Sequence, residues 1–237
     1  MRTLDATNFV VSASIQHVGD YRASIPALCK TDEIEFAKPV TFFIGENGSG
    51  KSTLVEAIAI AAGFNPEGGS KNFQFETVRR EIEEERLVKL IRSTRRPSDG
   101  YFLRAESFFN VATEIDRLGV TRGYGSVSLH EQSHGESFMA LLMNRFLGDG
   151  LYILDEPEAA LSPMRQLSIL VRIHDLVRAG SQFIIATHSP ILMAYPGATI
   201  LQLGERIREV AYEETEHYTV MRDFMNHRQA MLRELFA

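Results

Sequence analysis

The first segment able to do chemistry is a glycine-rich loop at residues 45–52, Gly-Glu-Asn-Gly-Ser-Gly-Lys-Ser. It fits a phosphate-binding pattern of glycine, four residues and Gly-Lys-Ser, and it lies between an apolar strand-like run and an apolar helix-like run, as that pattern requires. Its glycines let backbone N–H groups approach anionic oxygens. Lys51 would hold the β- and γ-phosphates of a nucleotide, and Ser52 would offer its hydroxyl to Mg²⁺. The candidate nucleotide-binding residues are Gly45, Glu46, Asn47, Gly48, Ser49, Gly50, Lys51, Ser52 and Thr53.

Two adjacent carboxylates end a second apolar run. Residues 151–157 are Leu-Tyr-Ile-Leu-Asp-Glu-Pro. Asp155 would bind Mg²⁺ through water and complete the metal site begun by Ser52. Glu156 would act as a general base that orients and polarises the attacking water. Neighbouring residues on a strand point to opposite sides, so these different roles require the strand to end here, as Pro157 favours.

Short runs of β-branched, aromatic and aliphatic residues predict the strands that position these groups. The runs are Val40–Ile44, 151–154, 183–186 and Thr199–Leu203. The first three are almost entirely apolar, which is typical of strands buried on both faces of a parallel sheet. Each leads directly into a polar segment, and ligand sites in open parallel sheets lie at the carboxyl ends of the strands. The helix predicted after the glycine-rich loop is apolar almost all round and must therefore be buried.

The rest of the chain predicts a single domain over residues 1–237. Strand-like segments at 9–15 and 21–25 indicate an antiparallel β lobe. Residues 75–92 and 132–147 show helical patterns, and the tail 218–236 predicts a terminal helix. We therefore expect an α/β fold with a mainly parallel central sheet, an N-terminal antiparallel β lobe and an inserted helical subdomain. In this division the catalytic core with the β lobe comprises residues 1–64 and 148–237, and the helical subdomain comprises residues 65–147.

Composition narrows the class of protein. The net charge of −6 disfavours a protein that coats nucleic acid non-specifically, since such proteins are usually basic. The single cysteine, Cys29, excludes a disulfide framework and a Cys-cluster metal site. The longest apolar stretch is too short to cross a bilayer and contains Glu56. We expect a cytoplasmic protein with no transmembrane segment of its own.

Three further segments resemble motifs of the ABC-type ATPase superfamily, which includes transporter nucleotide-binding domains and SMC-like head domains. Residues 133–137, Ser-His-Gly-Glu-Ser, resemble its signature motif and precede Asp155 by about twenty residues, as that family requires. Residues 158–162 occupy the position of its D-loop, and residues 187–190, Thr-His-Ser-Pro, resemble its switch-histidine segment. The resemblance implies an ATP-bound homodimer. In that dimer Ser133, Gly135 and Glu136 of one subunit would face the nucleotide of the other, and His188 would reach the γ-phosphate in its own subunit.

The sequence departs from this family at two places. His134 stands where a glycine is common in the signature motif. The glutamine of the family's Q-loop has no clear match, because Gln74 lies too early. The strand-like segment 100–106 would lead into that loop and would put Arg104 or Glu106 there. We favour Glu106 and expect it to contribute to the metal site; Tyr21 lies at a suitable distance to stack on adenine.

Three functional hypotheses remain open. The first is a stand-alone ABC-type ATPase, similar to small bacterial relatives of SMC-type heads, whose Mg²⁺-dependent ATP cycle drives an unknown effector protein or DNA, in DNA maintenance or phage defence. The second is the nucleotide-binding subunit of an ABC transporter. The third is an interaction module that ATP binding switches without turnover. The short charged segment at 77–92 lacks sustained heptads, which argues against a coiled-coil arm.

Overall fold

The structure is a computed structural model that describes residues 8–16, 25–70, 87–106, 113 and 134–237. Two sheets and the helices packed on them make up this part of the chain. In chain order its strands and α-helices are β1 (Val10–Ile15), α1 (Pro26–Cys29), β2 (Glu33–Glu35), β3 (Val40–Ile44), α2 (Lys51–Ala62), β4 (Gly69–Ser70), β5 (Val88–Arg92), β6 (Asp99–Arg104), α3 (His134–Asn144), β7 (Gly150–Asp155), α4 (Pro163–Arg178), β8 (Gln182–Ala186), α5 (Pro190–Met193), β9 (Thr199–Leu203), β10 (Ile207–Glu209) and α6 (Glu216–Leu235). Short 3₁₀ turns occupy Pro157–Ala160 and Tyr212–Glu214.

The larger sheet has seven strands in the order β10-β9-β3-β8-β7-β6-β4. Its five inner strands are parallel, and the antiparallel strands β10 and β4 close its two edges. Every residue of β3, β7 and β8 is buried, which explains why these strands are apolar runs without alternation. The predicted mainly parallel sheet is confirmed.

The strand register brings the polar segments together. Phe43 of β3 is paired with Ala186 of β8, and Ala186 is in turn paired with Asp155 of β7. The carboxyl ends of these three strands are therefore neighbours at one edge. The glycine-rich loop, the two carboxylates and the segment containing His188 all begin at that edge, as the sequence predicts.

Helices cover the two faces of this sheet. Phe42 and Ile44 join a core cluster with α3 and α4, whereas Phe43, between them, joins a second cluster with α2 and the smaller sheet. This alternation of side chains along β3 follows the period of two of a strand. Because α2 packs against β5 of the smaller sheet as well as β7 and β8, its nearly all-round apolar surface is accounted for.

The smaller sheet is antiparallel and has the order β2-β1-β5. The Gln182 side chain joins it to the larger sheet, since its Oε1 accepts hydrogen bonds from the backbone N–H groups of Phe9 (3.0 Å) and Val10 (2.9 Å). The antiparallel lobe predicted around residues 9–15 is thus confirmed. Residues 21–24 of the second predicted strand lie outside the described part, and Ile25 precedes helix α1 rather than belonging to a strand.

The helix predicted over residues 75–92 is wrong for its last five residues. Val88–Arg92 form strand β5, which pairs with β1; the earlier residues of that segment lie outside the described part, except Leu87. Val88 is buried while Lys89 is exposed, and pairing with β1 and packing on α2 outweigh the weak helical pattern of this mixed segment. Strands β4, β5 and β6 all fall within residues 65–147, so that stretch is not purely helical, although α3 confirms its second predicted helix.

Helix α6 confirms the predicted terminal helix, and its side chains are all at least partly exposed. It runs from Glu216 to Leu235 with a non-helical residue at His227, and none of its residues is buried. Val220, Met221 and Met225 are among its exposed apolar side chains. Across the described ranges, no helix combines the length and the apolar character needed to span a membrane.

Candidate functional site

The glycine-rich loop joins β3 to α2 and leaves little space for side chains at two of its glycines. Gly45 has a φ of 149°, and a Cβ there would lie 2.6 Å from the Leu203 carbonyl oxygen. Gly50 has a φ of 95°, and its Cβ would lie 2.7 Å from Cγ2 of Ile25. Both positions therefore require glycine. Glu46, Asn47 and Gly48 are exposed at the tip of the loop.

Lys51 begins α2 and folds back over this loop. Its Nζ donates hydrogen bonds to the carbonyl oxygens of Gly45 and Glu46, both at 2.9 Å, and the residue is only 4% exposed. Burial lowers the pKa of Lys51, and the nearby carboxylates of Glu156 and Asp155 oppose this shift. A buried ammonium group so placed offers a cation to any anion that enters the loop.

Ser52 and Asp155 form the second half of the site. The Ser52 hydroxyl donates a hydrogen bond of 3.0 Å to Oδ1 of Asp155, which links the start of α2 to the last residue of β7. Burial raises the pKa of Asp155 to about 6, against the opposing effects of this hydrogen bond and of Arg104. Burial thus disfavours the ionised form of Asp155. A bound divalent cation would favour the ionised form again.

Arg104 occupies the end of β6 directly beside Asp155. The two residues are paired across strands β6 and β7, with Nε of Arg104 3.7 Å from Oδ2 of Asp155. The same guanidinium lies 3.3 Å from Glu56 of α2 and 3.5 Å from Glu106. The Glu106 side chain is 86% exposed, and the contacts recorded in the described ranges place Arg104, rather than Glu106, next to the candidate metal ligands. A metal-binding role for Glu106 stays a prediction.

Glu156 leaves the strand in a left-handed conformation, with φ 50° and ψ 52°. Such a backbone is unfavourable for a non-glycine residue and is concentrated at functional sites. This backbone conformation ends β7 at Asp155. The side chains of Asp155 and Glu156 can therefore take different directions, as their different predicted roles require. Oε1 of Glu156 lies 3.5 Å from Nε2 of His188. His188 itself is held by its backbone N–H, which donates a hydrogen bond of 2.5 Å to Oε1 of Glu158.

Buried polar atoms without hydrogen-bond partners gather around this loop. Among the described residues they include Ser49 Oγ, Arg104 Nε and His188 Nε2. Buried polar groups are normally satisfied, so such a cluster indicates a site built for a polar ligand. No group of three or more His, Cys, Asp or Glu side chains in the described ranges could hold a metal ion. Ser52 and Asp155 fit Mg²⁺ only together with phosphate and water oxygens, which is how Mg²⁺ is usually bound beside nucleotides.

The segment that resembles the signature motif is described only in part. Ser133 lies outside the described residues, whereas Gly135 and Glu136 lie at the start of α3. Glu136 is exposed and forms an ion pair of 3.5 Å with Arg165 of α4. A Cβ at Gly135 would lie 2.8 Å from the Ala160 carbonyl oxygen. The close approach of α3 to the turn Pro157–Ala160 is thus by itself a reason for glycine at residue 135.

Replacing Gly135 with alanine is expected to lower the free energy of unfolding by about 1–3 kcal/mol, because the added methyl group meets both the Arg165 guanidinium and the Ala160 carbonyl oxygen. Urea denaturation measures this change, with Met143→Ala at an exposed position of the same helix as the control. If both variants are equally stable, the packing explanation for Gly135 is wrong.

The structure adds residues that the motifs did not indicate. His217, near the start of α6, lies with Nε2 3.2 Å from Nδ1 of His188. It also lines a cavity of about 290 Å³ beside Gly45 and Ser49. Nothing in the sequence around His217 resembles a nucleotide-binding motif, and only its closeness to His188 in space reveals it. Tyr21 and Gln74 lie outside the described residues.

Comparisons with known proteins agree with this architecture. An AAA domain family model matches residues 14–133, just over half of the chain. A second AAA domain model, whose description also names the AbiEii toxin of a Type IV TA system, matches residues 104–194. The ABC transporter G family member STR2 of Medicago truncatula is 25% identical over 202 residues, which are 76% of this chain and 28% of that protein. The chain thus spans little more than a quarter of the length of that curated relative.

Solved structures that resemble the fold include the following two. One is cbiO1 from Clostridium perfringens, part of the ABC transporter complex cbiONQ, with a TM-score of 0.54 and 16% identity over 96% of this chain and 100% of that chain. The other is an inward-facing conformation of a metal-chelate type ABC transporter, with a TM-score of 0.51 and 16% identity over 90% of this chain and 88% of that chain. At these identities the likeness concerns the fold alone. The chain belongs to the AAA domain family and has the fold of an ABC-type ATPase nucleotide-binding domain.

Proposed function

We propose that this chain binds ATP with Mg²⁺, hydrolyses the terminal phosphate, and closes head to tail with a second copy around the nucleotide. One observation carries the proposal. An ammonium group, a hydroxyl–carboxylate pair, a second carboxylate and a histidine converge where three neighbouring parallel strands end. These groups belong to Lys51, Ser52, Asp155, Glu156 and His188. Phosphoryl transfer needs little more than such positioning and charge stabilisation.

Each side chain has a role that its position supports. Lys51 would exchange its two carbonyl acceptors for β- and γ-phosphate oxygens, which is favourable for a buried cation that now has only neutral partners bonded to Nζ. Glu156, 41% exposed, would accept a hydrogen bond from the attacking water and take up its proton. His188 would donate from Nε2 to the γ-phosphate. Ser52 and Asp155 would help to hold Mg²⁺, which would offset the negative charge of the phosphates.

The proposed dimer supplies the other side of the nucleotide. Ser133, Gly135 and Glu136 would face the phosphates bound to the partner subunit. Within one chain, the contacts described for Gly135 and Glu136 are with the turn Pro157–Ala160 and with Arg165. This is compatible with an action across the subunit interface. This contact also connects the signature-like segment with the D-loop-like segment 158–162, which begins two residues after Glu156.

The biological role that we propose is the driving of an effector protein or DNA in the cytoplasm, in DNA maintenance or phage defence. A DNA contact through the basic segment around residue 95 has little support. Arg95 is paired with Asp149 at 2.6 Å and stacks over Phe9, and Arg92 and Arg96 donate hydrogen bonds to backbone carbonyls. We therefore assign no DNA contact to this segment.

Transport is the second candidate function, because the curated relative and both solved structures are named as parts of ABC transporters. The position that faces the membrane partner in that family is its Q-loop. Here strand β6 ends in Arg104, which is engaged with Glu56 and Asp155, instead of a glutamine. We therefore rank transport second. Co-purification with a multi-spanning membrane protein would reverse this order.

The proposal is tested by thermal unfolding with ATP in Mg²⁺ or in EDTA, together with phosphate release. At a ligand concentration of about 100 times Kd, binding should raise the Tm by about 5–10 °C, and EDTA should reduce this shift. Phosphate release is measured alone, with duplex DNA and with lipid vesicles. Stimulation by DNA supports the first role. A shift in Tm without turnover under any condition supports a switch that does not hydrolyse ATP, and no shift at all rejects the proposal.

A further inference from the structure

The contact between His188 and His217 links the candidate active site to the terminal helix. Nδ1 of His188 and Nε2 of His217 are 3.2 Å apart, and the two ring centroids are 5.3 Å apart. The other nitrogen of His188, Nε2, faces Glu156 at 3.5 Å and is one of the buried atoms without a hydrogen-bond partner among the described residues. The two nitrogens of His188 thus face different groups, and only one of them can carry the proton of a neutral ring.

Hydrogen bonds tie the start of helix α6, which carries His217, to the loop that carries His188. The buried Thr215 caps α6, since its hydroxyl accepts a hydrogen bond from the Tyr218 N–H and donates one of 2.7 Å to the Tyr212 carbonyl. The Tyr212 hydroxyl donates a hydrogen bond of 3.0 Å to the carbonyl of Pro190, two residues after His188. These bonds tie the start of α6 to the loop that carries His188, so the distance between the two rings is defined by the fold.

Burial favours the neutral form of both rings. Burial and the nearby Lys51 charge lower the pKa of His188 despite the opposing effect of Glu156. Burial, His188 and Lys51 likewise lower the pKa of His217, while Glu216 and Glu158 oppose the shift. In a hydrogen bond between two neutral imidazoles, one ring donates and the other accepts.

The carboxylate of Glu156 decides the direction of this bond. If Nδ1 of His188 carried the proton, the lone pair on Nε2 would face the Glu156 carboxylate and repel it. If His217 donates instead, the His188 proton lies on Nε2, where the carboxylate or a phosphate oxygen can accept it. The partner at one ring nitrogen thus sets the chemistry at the other.

We propose that His217 is a positioning residue that donates from Nε2 to His188 and keeps the His188 proton on Nε2. Which nitrogen of His188 carries the proton therefore depends on where helix α6 places His217. The effect on turnover rests on the proposed ATPase function, whereas the effect on the tautomer does not.

The first test is the tautomer of His188, measured by ¹⁵N NMR of the histidine rings in the full chain without nucleotide. His188→Gln identifies the His188 signals. His217→Gln keeps an amide donor in place, and His217→Leu removes the donor at similar volume. We expect the Nε2–H form in the wild type and in His217→Gln, and a mixture of both forms in His217→Leu. A wild type with the proton on Nδ1, or an unchanged tautomer in His217→Leu, overturns the proposal.

The second test is kinetic. His217→Leu is expected to lower kcat for ATP hydrolysis about tenfold with little change in KM, as is typical when the partner that orients a functional histidine is lost. His217→Gln should retain most of the activity. His227→Ala, at an exposed position on the same helix, is the control. Equal losses in His217→Gln and His217→Leu contradict a donor role. If the wild type shows no turnover, the proposed function fails, and the NMR result still decides the role of His217.

Discussion

Replacing Glu156 with glutamine is expected to lower kcat for ATP hydrolysis by about 10²- to 10⁴-fold while ATP binding persists, because the amide keeps the shape of the carboxylate and loses its basicity. The left-handed backbone conformation at residue 156 is no less favourable for glutamine than for glutamate, so the fold should tolerate the change. Phosphate release measures the loss, and Glu209→Gln on the exposed edge strand β10 is the matched control.

The same variant tests the dimer. With ATP and Mg²⁺ but without hydrolysis, the closed state should accumulate, and light scattering should then give twice the 26.7 kDa of one chain. Adding Ser133→Arg should abolish the dimer and leave nucleotide binding intact. A Glu156→Gln protein that stays monomeric with ATP contradicts the two-subunit arrangement for the isolated chain, and one that hydrolyses ATP normally contradicts the role of Glu156 as base.

The second large effect is expected for Lys51→Met, which should weaken ATP binding by about 3 kcal/mol, or about 100-fold in Kd, through loss of the charge-assisted contacts to phosphate. The stability of the nucleotide-free chain should change by no more than about 1 kcal/mol. The substitution removes two hydrogen bonds from Lys51 to carbonyl oxygens. It also removes a buried cation, and burial disfavours that cation enough to lower the pKa of Lys51.

Calorimetry with ATP and Mg²⁺ measures the affinity, and urea denaturation measures the stability of the same preparations. Lys89→Met, at an exposed position of β5, is the control for loss of a positive charge. Unchanged affinity in Lys51→Met shows that the glycine-rich loop is not the phosphate site. A large loss of stability instead shows that Lys51 acts mainly to hold the loop together.

The contacts of Arg104 affect the charge at the candidate metal-binding site. A guanidinium beside Asp155 and Glu56 supplies positive charge at the end of β6 before any cation binds. This charge favours the ionised form of the buried Asp155, whose pKa burial raises.

The sequence by itself determined the central strands and the groups at their ends. Strands buried on both faces of a parallel sheet are almost continuous apolar runs, so Val40–Ile44 could be located to the residue. The glycine-rich loop and the pair Asp155–Glu156 are each a contiguous segment at the carboxyl end of a central strand. Their chemistry could therefore be inferred without knowing which strands are neighbours.

Only the tertiary structure decided the contacts between segments distant in sequence. Val88–Arg92 become a strand because β1 and α2 are there to pair and pack with them. Arg104 meets Asp155 because β6 and β7 are neighbours in that register. His217 meets His188 because α6 is tied back to the loop after β8. Such contacts depend on strand order and register, which no local pattern of residues encodes.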